Sequence, residues 1–187
     1  MKHEEIRRRL TISRCNTSHP AMNNDLEKRN EADVIIRLAT FSDAPMLAKF
    51  RYAFRSGTGS VRENETEFVE RCTLWMQERL GEASAWTCWI AEQEDAPVGH
   101  LWAQLIEKIP NPSPEPERHA YLTNFYVCED TRGHGIGSRL LSAALDWCRG
   151  HEVHAVILWP TERSRSLYLR HGFSVRADLL ELLIESR

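Results

Sequence analysis

Between residues 120 and 148 an apolar, strand-like run ("AYLTNFYV"), three glycines within five positions and a strongly amphipathic run follow one another. The glycines are Gly133, Gly135 and Gly137 in "TRGHGIG". Glycine costs a helix roughly 1 kcal/mol relative to alanine, so three of them at a helix entrance call for a reason. Two are available. A helix N-terminus bares about four backbone N–H groups and about half a positive charge, and glycines let that backbone close on a phosphate. Alternatively, the glycines serve only the dihedral angles of a tight strand-to-helix turn.

The hydrophobic period places the remaining elements around this turn. "VIIRLA" (34–39) reads as a β-branched strand. "SDAP" then opens a helix, with Ser42 or Asp43 as cap and Pro45 in its first turn. Met46, Leu47, Phe50 and Phe54 mark one face of that helix, and Gly57 ends it. A second helix is predicted over about 65–80, with Phe68, Cys72, Trp75, Met76 and Leu80 on one side. "WTCWIAE" and "VGHLWAQLIE" form a predicted hairpin across "QEDAP". "KIPNPSPEPE" holds four of the eight prolines and must be a loop. Beyond the amphipathic helix come a buried strand over 153–159, a short helix ended by Gly172, and one or two closing strands in "FSVRADLLELLIE". The order β-α-α-β-β-β-α-β-α-β describes an α+β domain with a mixed sheet. Residues 1–32 are polar and weakly periodic, and read as a flexible N-terminal extension.

Composition narrows the partners. A net charge of −3 offers no electrostatic case for nucleic acid, and no apolar run reaches the roughly 18 residues that cross a bilayer. No apolar stretch follows the basic "RRRL", so no signal peptide is read, and five scattered cysteines suggest reduced thiols and a cytoplasmic location. His151 and His154 lack Cys or Asp partners at metal spacing and read as a surface pair, so no metal is expected.

Two phosphate-binding motifs fit poorly. A P-loop needs Lys after its last glycine, where this chain has Ser138 and Arg139. In a dinucleotide fingerprint the third glycine position falls on Ser138. The hexapeptide Arg132-Gly133-His134-Gly135-Ile136-Gly137, followed some thirty residues later by Tyr168-Leu169-Arg170-His171-Gly172-Phe173, instead resembles the GNAT N-acetyltransferase superfamily. Its R/Q-x-x-G-x-G/A turn and Y-x-x-x-G-F helix are both complete. Thr161 and Ser164 depart from it, standing where many members have Asn and Ala.

The resemblance implies a GNAT domain over 33–187, with a mostly antiparallel sheet splayed at its central strands and flanked by helices. It implies an acetyl-CoA-dependent transfer of an acetyl group, by direct attack, to a primary amine of a small molecule or peptide. Backbone N–H groups of Arg132, Gly133, His134, Gly135, Ile136, Gly137 and Ser138 would bind the pyrophosphate. Phe125, Tyr126 and Val127 would pair with the pantetheine arm as an added strand, with Thr161 and Ser164 nearby. An N–H at or beside Val127 would stabilise the oxyanion, and Tyr168 would protonate the departing thiolate. Asn124, Trp102, Glu117 and His119 are acceptor-side candidates, and no general base is evident. The rival reading is a catalytically silent acyl-CoA sensor of the same fold. A homodimer is compatible with the resemblance.

Overall fold

In the computed structural model the described residues are 34–57, 59, 61–82 and 84–184. The expected extension over 1–32 therefore lies outside them. Five strands lie in sequence order in one sheet: β1 (Val34–Leu38), β2 (Trp86–Gln93), β3 (Ala96–Glu107), β4 (Arg118–Val127) and β5 (Val153–Ile157). The first three pairings are antiparallel and β4–β5 is parallel. The four helices are α1 (Ala44–Ser56), α2 (Glu65–Arg79), α3 (Ile136–Gly150) and α4 (Glu162–Arg170).

Strand alternation divides the core into two layers. Trp89 and Ala91 of β2 and Leu101 and Ala103 of β3 point to one face, where Ile136, Leu140, Leu141 and Ala144 of α3 and Tyr168 of α4 cover them. Their neighbours Cys88, Ile90 and Trp102 point to the other, against Ala44, Leu47 and Ala48 of α1 and Met76 of α2. The β2–β3 turn places both Glu94 and Asp95 at positive φ (52° and 60°), the type I′ geometry that matches strand twist. Asn64 caps α2 by accepting from the Glu67 N–H at 3.0 Å.

Arg37 ties the first strand to its surroundings. It donates to both Asp43 carboxylate oxygens (2.9 and 2.8 Å) and through Nε and Nη2 to Glu92 Oε1 (2.9 and 2.7 Å). The Arg37 guanidinium holds the Asp43 carboxyl down to about 2. A depressed carboxylate contributes stability above its unfolded pKa of 3.8 and loses it as pH falls toward 2. Arg37→Met should accordingly lower urea-measured stability by about 2 kcal/mol at pH 7, and that gap should close as the pH drops from about 4 toward 2.

Three expectations need correction. The strand expected to be buried over 153–159 ends at Ile157, and none of its residues is fully buried. The central strand begins at Arg118, not at residue 120, so His119 lies within it. Residues 173–184 form no strand. Their apolar doublets, Leu179-Leu180 and Leu182-Leu183, would load both faces of a strand, whereas a half-buried strand needs alternation. All four leucines are exposed, Leu180 to 94%.

Candidate acyl-donor and acceptor site

The end of β4 and the turn after it form one continuous surface. β4 and β5 are in register only from Arg118 to Tyr121, opposite Val153 to Ile157. Residues 122–127 of β4 have no β5 partner, so one edge of the strand is open. On the other edge, the β3–β4 register slips between His100 and Trp102, and Asn124 sits there at φ 48°. Asparagine is among the few non-glycine residues that enter this region readily. The extra residue reverses the alternation: Leu122 faces the α3 layer before the bulge, and Phe125 and Val127 face it afterwards. Tyr126 turns the other way, packing on Phe50 and Phe54 of α1 at 5.4 and 6.0 Å between ring centroids.

Which backbone groups meet the open edge follows from the same alternation. The Cys128 N–H donates to the Val98 carbonyl at 2.8 Å. Antiparallel geometry then directs Tyr126 toward β3 and the N–H groups of Phe125 and Val127 outward. Of the three strand residues expected to meet the pantetheine arm, Tyr126 therefore lacks an outward backbone donor. Gly99 permits this close arrangement, since a Cβ there would lie 2.8 Å from the Tyr126 carbonyl oxygen. No sequence motif marks Gly99; its role comes from the register slip.

The glycines divide their work. Gly133 and Gly135 adopt φ 83° and 77°, and a Cβ built on either meets no atom of the described residues within 4 Å. Their backbone therefore borders open space that a ligand can occupy. Gly137 is different: its missing side chain faces Leu167 and Phe125, at 3.5 and 3.6 Å from a built Cβ. The first backbone bond into α3 runs from the Arg139 N–H to the Gly135 carbonyl (3.1 Å), which leaves the N–H groups of 133–138 without a backbone acceptor among the described residues, whereas the Arg132 N–H, expected to meet the pyrophosphate, donates to the Glu129 carbonyl (3.2 Å).

Side chains around the turn hold its shape. Arg132 donates through Nε to the Val127 carbonyl (2.9 Å) and through Nη1 to Glu129 (2.8 Å). Ile136 is core, and His134 is exposed with Nδ1 3.3 Å from the Thr131 carbonyl. His171 Nδ1 lies 2.9 Å from the Leu167 carbonyl, and its Nε2 is hydrogen-bonded with the Ser138 hydroxyl at 3.0 Å. This bond joins the start of α3 to the end of α4. Thr161 and Ser164 form a capping box: Thr161 Oγ1 accepts from the Ser164 N–H (3.3 Å), and Ser164 Oγ from the Thr161 N–H (3.0 Å). They set the start of the helix that carries Tyr168.

Tyr168 is 7% exposed, with its ring against Phe125 (6.2 Å) and Phe173 (5.6 Å). Burial pushes its phenol up to about 12, with Ser164 acting in the opposite direction. The remaining candidates do not converge. Trp102 is buried between Trp75 and Trp86, a core position. Glu117 is exposed, and His119 stacks on His154 at 5.7 Å. At about 3.3 Å per residue, His119 lies roughly 17 Å along β4 from Asn124. His151 stacks on Trp147 at 3.9 Å. Cys72, Cys88, Cys128 and Cys148 form no disulfide, and among the described residues no group of three His, Cys, Asp or Glu could hold a metal ion. No helix among them is long and apolar enough to cross a membrane.

A splayed sheet with a glycine turn at the end of its central strand defines the acyl-transferase fold that the sequence resembles. The acetyltransferase (GNAT) family profile matches residues 53–173, and the chain belongs to this family. It is 28% identical over 152 residues to a probable N-acetyltransferase of Mycobacterium tuberculosis, covering 77% of this chain and 82% of that protein. The fold is shared with a predicted acetyltransferase of Clostridium acetobutylicum solved with acetyl-CoA (TM-score 0.69, 22% identity, 81% of this chain and 96% of that one). A GCN5-related N-acetyltransferase of Ralstonia eutropha is similar too (TM-score 0.67, 24% identity, 81% and 99%).

Proposed function

We propose that this protein transfers an acetyl group from acetyl-CoA directly to a primary amine of a small molecule or peptide. The observation that carries the reading is the junction of two unpaired sets of backbone donors: the turn 133–138 and the open edge of β4. In this reading the turn N–H groups bind the pyrophosphate, with the α3 dipole behind them. The N–H groups of Phe125 and Val127 hold the arm and the carbonyl oxygen where negative charge develops. Tyr168, protonated up to about pH 12, holds a proton for the departing sulfur. The thioester supplies an activated carbonyl.

The test is CoA thiol release from acetyl-CoA across a panel of primary amines. Turnover should appear on at least one amine and rise with pH until that amine is deprotonated. Tight CoA binding with no release on any amine would identify the silent sensor instead.

A further inference from the structure

Arg51 stands out among the described arginines. Arg62, Arg118, Arg163, Arg165 and Arg170 have no ion pair among the described residues but are exposed, whereas Arg51 is half-buried. Arg37, Arg71, Arg79, Arg132, Arg149 and Arg176 each have a carboxylate partner. Arg51, half-buried on α1, has none among the described residues; its one hydrogen bond there runs from Nη1 to Asn124 Oδ1 at a long 3.3 Å. Arginine offers five N–H donors, so most of its capacity is unused. The nearby Glu63 is held by Arg71 through two bonds of 3.1 and 2.6 Å. Arg55, one helical turn on, adds a second positive charge, and both it and burial disfavour the Arg51 cation. A half-buried guanidinium without a counter-ion is costly unless an anion arrives.

A second orphan lies beneath it. His100 is fully buried and stacked on Phe50 at 5.7 Å; neither ring nitrogen meets a partner at full hydrogen-bond geometry, and Asn124 comes close enough to interact with the ring. Burial lowers its pKa to about 4, against the influence of the adjacent Asn124. Arg51, Asn124 and His100 thus form an under-satisfied polar column at the β4 bulge, one residue from the open edge at Phe125.

We propose that the acceptor amine carries an anionic group, a carboxylate or a phosphate, which Arg51 binds beside Asn124. The inference rests on the acetyltransferase reading for its amine, and the unused donors of the half-buried Arg51 guanidinium supply the case for the anion. Arg51 is the specificity-determining residue and Asn124 positions it.

The experiment titrates the CoA-loaded protein calorimetrically with matched probes: phosphoethanolamine against ethanolamine, 4-aminobutanoate against 4-aminobutanamide, and 1,4-diaminobutane as the cationic control. At least one anionic member should bind ten-fold or more tightly than its neutral counterpart, and the responding pair tells phosphate from carboxylate. Arg51→Gln should erase that preference and Arg51→Lys keep part of it, with CoA affinity unchanged in both. Equal binding within both pairs, preference for the diamine, or a preference that survives Arg51→Gln overturns the inference. CoA release in the same samples reads the acetyltransferase proposal separately. An Arg51-dependent anion preference without acetyl transfer would uphold the anion site and refute that proposal, whereas transfer without the preference would do the reverse.

Discussion

Gly135→Val should leave a folded protein that binds acetyl-CoA at least about 100-fold more weakly, the loss expected when two charge-assisted hydrogen bonds go at about 1.5 kcal/mol each. Gly135 caps α3 at φ 77°, where a β-branched residue is strained. Its Cβ would project into space that no atom of the described residues fills within 4 Å, so the expected collision is with ligand and not with the core. Isothermal calorimetry gives the affinity, and circular dichroism with a melting curve shows that the domain still folds. Wild-type affinity in a folded Gly135→Val protein would remove the turn from the site.

Tyr168→Phe should lower kcat by about 100-fold while the Kd for acetyl-CoA stays within two-fold, because general acid assistance contributes typically 10²–10⁴. Phenylalanine keeps the ring between Phe125 and Phe173, so packing is preserved and only the hydroxyl is lost. With the phenol raised to about 12, wild-type kcat should show no alkaline decline from this group below about pH 10. An unchanged kcat would assign Tyr168 to the core alone. A parallel loss of CoA affinity would make its role structural.

Much of this site was legible because its residues lie close together in the chain. The turn 132–138 and the α4 pattern ending in Gly172 each carry their meaning within six or seven residues, and positive φ at Gly133, Gly135 and Gly172 agrees with glycine there. On the proposed acceptor side the sequence offered Asn124 as a candidate but not its grouping with Arg51 and His100. Arg51, His100 and Asn124 are separated by about fifty and about twenty residues, and none sits in a motif. Trp102 looked like a pocket residue because an aromatic on a strand has no sequence mark for which layer covers it; packing by Trp75 and Trp86 decides that. The doublets of 179–183 carry strand-like hydrophobicity without strand alternation, which is why the closing strands were expected and did not form.

The sequence alone determined the helices, the first four strands to within two residues at either end, the type of turn after the central strand and the family, since these depend on local period, caps and glycine dihedrals. Only the tertiary structure decided where β4 parts from β5, which N–H groups the bulge turns outward, and that Arg51 bonds Asn124 with no carboxylate partner among the described residues. Those facts depend on register between strands and on charges brought together from distant segments, and a one-residue slip in register changes them all.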